Sequence, residues 1–388
     1  MKLRRQTRIS SPARWAFAIL AIGLGLCISD CKKKDGVQFF SEDFPSKLSD
    51  WKLFIQSEAG VKIRPELIPY DLNTPLFSDY ALKFRTVYVP PGEAAQYTTT
   101  GVLDFPVGTI FTKTFYYPRK AGTKETNDFP SIKDFFVLET RLLVHTSNGW
   151  IGLPYIWNKE GTEAILEITG GDIPVESFNF TQVPVSFTYT VPNQAQCQGC
   201  HITKINDEKV MIPIGPKARQ LNREFPYPSG SENQLSHWAK SNILKNLPAN
   251  PTAAPGTPVN TLPGIPSNVA YTDTRASLED RSRAYLDSNC GHCHNSLGPA
   301  NTSGVLLNLE ETDSHKIGVC KSPTAAGKAS ANMDYDIVPG NPDKSILIHR
   351  MTSTEAGIRM PELARSLLHK EGLDLVRAWV QAMKGNCN

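Results

Sequence analysis

The chain opens on a contrast between a basic stretch and an apolar one. Lys2, Arg4, Arg5, Arg8 and Arg14 precede the run Trp15 to Leu26, which carries no charge. That run is too short to span a bilayer, and a charged flank before a short apolar core reads as a secretory signal. From residue 38 to 190 the pattern changes to short β-branched and aromatic runs punctuated by Pro and Gly. Lys83–Val89 stops at Pro90-Pro91-Gly92, and Gly101–Tyr117 is interrupted by Pro106 and Gly108; both read as strands ended or broken by turns. Phe135–His145 and Trp150–Trp157 flank Thr146-Ser-Asn-Gly149. There Asn148-Gly149 is expected to supply the positive φ angles of a tight hairpin. Ser177–Phe180 and Val185–Val191 continue the pattern, so the region predicts an antiparallel sheet of sandwich type.

Polar, helix-compatible sequence follows over 191–247, including Asn233–Leu247. Pro248 to Pro266 then holds six prolines, and no charge falls between Asn246 and Thr272. That is the composition of a semi-extended linker, and the main domain boundary is expected at 248–270. Beyond residue 271 the period becomes helical. Ser277-Leu-Glu-Asp280 caps a helix that runs through Asn289, with Leu278, Tyr285 and Leu286 at helical spacing. The last helix is expected over Glu371–Met383, with Leu373, Val376, Val380 and Met383 on one face and Gly385 as its stop. The layout is an α+β multidomain chain: signal peptide 1–31, β-rich domain 38–190, segment 191–247, linker 248–270, and a small all-α domain 271–388.

Composition narrows the function classes. A length of 388 residues suits two or three domains, and 20% charged residues argue against disorder. The 29 prolines fit a chain rich in loops and sheet edges. The formal charge is +3, but five positive charges lie in the first 26 residues, leaving −2 for the rest. A broad basic face for nucleic acid is therefore not expected. Cys27 and Cys31, followed by Lys32-Lys33-Lys34-Asp35, resemble a bacterial lipoprotein signal. The resemblance implies a lipid anchor at Cys31 or Cys27; without it, the exported protein is a soluble periplasmic one.

The remaining cysteines carry the chemistry. Cys197-Gln-Gly-Cys200-His201 and Cys290-Gly-His-Cys293-His294 both spell Cys-x-x-Cys-His, the covalent attachment motif of c-type haem. Two thiols must reach the two vinyl groups on one porphyrin edge while the adjacent His places its imidazole under the iron, and one turn of helix does both. With Cys and His each at 8 of 388 residues, chance supplies about 0.003 such motifs. Zinc is a rival, since two CxxC pairs make a Cys₄ site, but zinc gives no reason for a His after each pair. A thioredoxin-like CxxC belongs in a βαβ context that neither motif has. Two covalently bound haem c groups, held by Cys197, Cys200, Cys290 and Cys293, are the expected cofactors. Cys320 and Cys387 are left to form a disulfide, as an oxidising compartment allows.

Tyr285–His294, Pro339–Arg350, Arg359-Met360-Pro361 and the helix around Trp379 together resemble a class I cytochrome c. The resemblance implies His294 as proximal iron ligand and Met360 as distal ligand. Pro361 keeps a helix from forming through Met360, while Met333, Met351 and His349 are rivals. His292, inside the motif, is expected to be a surface residue facing away from the iron. The whole chain is also similar to a group of bacterial dihaem cytochromes in which a β-rich region precedes two CxxCH sites; Pro213–Asn222 matches the stretch after the first site. For the first haem, His201 is the expected proximal ligand. Its distal position stays open between Met211, His237 and no protein ligand. His145, in a strand among apolar neighbours, reads as a packed histidine.

Three functions follow. The leading expectation is a periplasmic electron carrier between redox protein partners. The alternative is a dihaem peroxidase-type enzyme with an open first haem. A third makes the β-domain a docking module.

Overall fold

The computed structural model describes residues 36–387 apart from 58–59, 179–182, 249–260, 325 and 364. The expected signal peptide, Cys27, Cys31 and most of the proline-rich stretch lie outside the described residues. From Val37 onward the described residues form one compact unit of mixed strand and helix.

At its centre is a six-stranded antiparallel sheet in the order Ile68–Tyr70, Leu82–Tyr88, Ile110–Pro118, Phe135–Thr146, Gly149–Trp157, Ala164–Leu166. Taken in chain order, these six strands are neighbours in the sheet. Alternation sends Ile110, Thr112, Thr114 and Tyr116 to one face and Phe111, Lys113, Phe115 and Tyr117 to the other. Phe115, Tyr116 and Tyr117 are all fully buried, so both faces are covered. On the first face Tyr116, Leu142, Leu153 and Tyr155 pack on Leu48, Trp51 and Phe129. Trp51 Nε1 donates to Tyr155 Oη at 2.7 Å. Buried threonines pair across strands, Thr86 with Thr112 at 2.7 Å and Thr114 with Thr140 at 2.8 Å. These bonds satisfy hydroxyls that burial would otherwise strand.

The second face is divided. At one end the hairpin Gly171–Phe178/Pro184–Val191 lays Val175, Tyr189 and Val191 on Phe115, Tyr117 and Leu138. At the other end Val87 and Phe111 pack against Leu221, Leu235 and Trp238 of the short helices Ala218–Leu221 and Gln234–Lys240. Between them Arg85, Lys113 and Arg141 stand directly opposite one another on three neighbouring strands. Like charges in such register repel. The expected sandwich is therefore one large sheet covered by small hairpins and by the motif-bearing segment; every other sheet among the described residues has two strands.

Local details also differ from expectation. The 135–157 hairpin turns on Ser147-Asn148, and only Gly149 takes a positive φ, +99°. Thr146 Oγ1 accepts from Asn148 N at 3.2 Å and donates to Gly149 O at 2.8 Å, which stabilises the turn without a left-handed Asn. The polar stretch 191–247 is not mainly helical. It contains two hairpins, Ile202–Ile205/Glu208–Met211 and Glu224–Tyr227/Gly230–Asn233. Within the helix-compatible run Asn233–Leu247 the helix is Gln234–Lys240, and Asn242 beyond it turns left-handed at φ 59°.

From residue 271 onward no strand occurs among the described residues. Helices Leu278–Asn289, Ile346–Thr352 and Lys370–Ala382 enclose Leu286, Ile337, Ile348, Val376 and Val380. The last helix crosses the first at Gly372, where an added Cβ would fall 2.2 Å from the Tyr285 ring. Cys320 and Cys387 are joined by a disulfide. This helical part is packed on the strand-rich part: the buried Arg219 and Asp287 form an ion pair at 2.8 Å, and Gln220 Nε2 donates to Ser288 Oγ at 2.9 Å. The buried Asp79 carboxylate accepts from Ser366 N at 2.8 Å and Leu367 N at 2.7 Å.

Candidate functional site

Each cysteine motif is positioned by a different local device. Asn193 caps the helix Gln194–His201: its side chain accepts from Gln196 N at 2.8 Å while Gln196 Oε1 accepts from Asn193 N at 2.9 Å. Two turns of helix suffice to set Cys197 and Cys200 one turn apart and to place His201 at the end. Gly152 on the sheet leaves room for Cys197; a Cβ there would meet the cysteine Cβ at 3.2 Å and Sγ at 3.3 Å. The chain then reverses through Asn206-Asp207, both at positive φ, and returns Ile212 alongside His201. The second motif follows a helix capped by Ser277, whose Oγ accepts from Asp280 N at 3.0 Å.

The two motif histidines end in the same setting. His201 Nδ1 bonds Ile212 O at 2.8 Å, and His294 Nδ1 bonds Val305 O at 3.2 Å, each eleven residues downstream. A carbonyl only accepts, so Nδ1 carries the proton and Nε2 keeps a free lone pair. Burial pushes both imidazoles down to about 4, which keeps them neutral, the form that binds metal. Such a carbonyl partner is what orients a metal-binding histidine.

His294, Cys290, Cys293 and Met360 line one cavity of about 460 Å³, within the range of ligand sites. Met351 lines it too. Met360 lies in a non-helical stretch held by Arg365, whose guanidinium donates to Met360 O at 2.6 Å, Met351 O at 2.9 Å and Ser353 O. Arg365→Met would strand these carbonyls, and we expect it to lower the unfolding free energy by about 3 kcal/mol in a denaturant titration. An unchanged midpoint would mean that the loop is held by other contacts.

His201 and Cys197 line a second cavity of about 140 Å³, walled by the sheet face that carries Arg85, Lys113 and Arg141. Neither distal candidate is among the residues that line it. Met211 lies on the return strand beside Gly152, which does line it. His237 stacks on Tyr227 at 3.5 Å, and its Nδ1 lies 3.2 Å from Glu232 Oε2. His145 stacks on Trp150 at 4.3 Å and bonds Phe105 O at 2.9 Å, as a packed histidine should.

The two motifs meet. Cys293 Sγ lies 3.8 Å from Gly199 O, and Lys204 N donates to Leu297 O at 3.0 Å. Cys200, Cys293 and His292 bring their ligand atoms within 4.8 Å of one another, the one such His/Cys/Asp/Glu cluster among the described residues. Cys293 and His292 hold the Cys200 thiol well below its usual range. His292 is thus half-buried against the other motif, not a free surface residue. No local sequence signal marks this contact, because its partners are about ninety residues apart.

No helix among the described residues is long and apolar enough to cross a membrane. No family model, curated protein or solved structure matches the chain.

Proposed function

We propose that this chain is an exported dihaem c-type cytochrome that relays single electrons between redox protein partners. The observation that carries the reading is the repeated setting of His201 and His294, each after a Cys-x-x-Cys pair with Nδ1 bound to a carbonyl and Nε2 free at a cavity. Cys290, Cys293, His294 and Met360 would hold one haem; Cys197, Cys200 and His201 would hold the other. Bound haem supplies reversible one-electron exchange, and a Met/His pair favours a higher potential than two histidines. Gly152, Ile212, Val305 and Arg365 act in support, by leaving room for a thiol or by orienting a ligand. In this proposal residues 271–388 are a class I cytochrome c-like domain, and a lipid at Cys31 or Cys27 anchors the exported chain.

The test is the visible spectrum of the mature protein made with haem-attachment machinery, together with its haem count. Two haems per chain are expected, with the one held by His294 and Met360 reduced to a low-spin form. Met360→Leu should change one haem's spectrum and lower its potential; if neither moves, Met360 is not a ligand. Because neither Met211 nor His237 lines the His201 cavity, a high-spin haem with peroxide turnover is the outcome that would move the assignment from carrier to peroxidase.

A second reading rests on the Cys200–His292–Cys293 cluster. Two thiolates and an imidazole suit zinc, with a fourth position left for water. One zinc per chain and no Soret band would establish it in place of haem.

A further inference from the structure

The cavity beside His201 is lined by four cations, Arg85, Lys113, Arg141 and Lys217, and by one carboxylate, Asp287. Arg85 and Arg141 are each answered, by Asp71 at 2.6 Å and Glu139 at 2.5 Å. Lys113 stands between them in the sheet and lines the same cavity, and Lys217 enters from the loop after Pro213. Both lysines are half-buried. Among the described residues neither ammonium has a hydrogen bond or ion pair; Lys113 has only the face of Phe115, at 5.0 Å. Asp287, whose charge reaches Lys217, is already held by Arg219. Burial, then the Arg85 and Arg141 charges, pushes the Lys113 ammonium well below its ordinary range. A cavity lined with a row of facing cations, in which neither lysine ammonium is directly bonded, suits a counter-anion.

We propose that this cavity is an anion site in which Lys113 and Lys217 together hold a carboxylate. A carboxylate suits two ammonium donors arriving from different walls, because its two oxygens accept from separate directions. It has two sources. One is a haem propionate of the group attached at Cys197 and Cys200, and this source rests on the function proposed above. The other is a small free carboxylate, which the 140 Å³ cavity accommodates as it stands.

The experiment uses the full mature protein, wild type beside Lys113→Met, Lys217→Met, the double variant and Lys113→Arg. Haem content is counted first, both potentials are then titrated, and succinate binding is measured by calorimetry. If the propionate is held, the double variant keeps its haem count, one potential falls, Lys113→Arg retains the wild-type value, and succinate does not bind. If a free carboxylate is held, succinate binds wild type saturably and the double variant binds at least tenfold more weakly, with both potentials unmoved in its absence. Unmoved potentials with no succinate binding, or with equal binding in all five proteins, overturn the anion site. A protein without haem sinks the cytochrome proposal alone, and the succinate titration of wild type and single variants then decides the site by itself.

Discussion

Under the proposed haem assignment, replacing Cys197 and Cys200 together by serine is expected to halve the covalently bound haem, from two per chain to one. Replacing Cys290 and Cys293 together should do the same. Thioether attachment treats the two cysteines of one motif as a unit, so loss follows the motif. The cluster in space divides the cysteines differently, because it takes Cys200 from one motif and Cys293 and His292 from the other. Under a zinc assignment Cys197→Ser and Cys290→Ser would leave the bound metal in place, while His292→Gln would release it. Under the haem assignment His292→Gln leaves the haem count at two. Pyridine haemochrome absorbance and metal analysis on these variants therefore separate the two chemistries without an activity assay. Unchanged haem in both double-serine proteins would end the covalent-haem proposal.

Arg219→Met should lower the unfolding free energy by about 3–5 kcal/mol in a urea titration at neutral pH, because it leaves a buried carboxylate without its partner. Arg219 is 6% exposed and Asp287 1% exposed; the guanidinium also bonds Glu310. Burial alone would raise the Asp287 carboxyl, but the Lys217 and Arg219 charges outweigh it and hold the group below its usual range. A carboxyl depressed in the folded state stabilises above its unfolded value, near 3.9, and that contribution fades as pH falls through the folded value. The penalty of Arg219→Met should thus be full at pH 7 and shrink on acidification, as Asp287 takes up a proton and no longer needs a counter-ion. Combining Arg219→Met with Asp287→Leu should recover most of the loss. A penalty below about 1 kcal/mol at pH 7 would show that the pair is solvated, as a surface ion pair is.

Both results bear on how the two motifs come together. Helix Leu278–Asn289 delivers the second motif, and Arg219 and Gln220 fasten it beside the segment that follows the first. Loosening that junction should also disturb the Cys200–Cys293 contact.

What the sequence determined by itself is local. The two Cys-x-x-Cys-His motifs, the Ser277 cap, the last helix to within a residue at each end and the 135–157 hairpin all rest on signals within about a dozen residues. Hydrogen-bonding and periodicity rules operate at that range. The hairpins around Asn206-Asp207 and Pro228-Ser229 were missed, because their strands are only four residues long. Helix-compatible composition masks strands of that kind. Tertiary structure alone decided the rest. It set Cys200 against Cys293 and His292, made one covered sheet where two were expected, and aligned Arg85, Lys113 and Arg141. Each of these depends on strand register or on packing between segments far apart in the chain. The same residue types would satisfy the local rules in many other arrangements, so only burial and long-range pairing select this one.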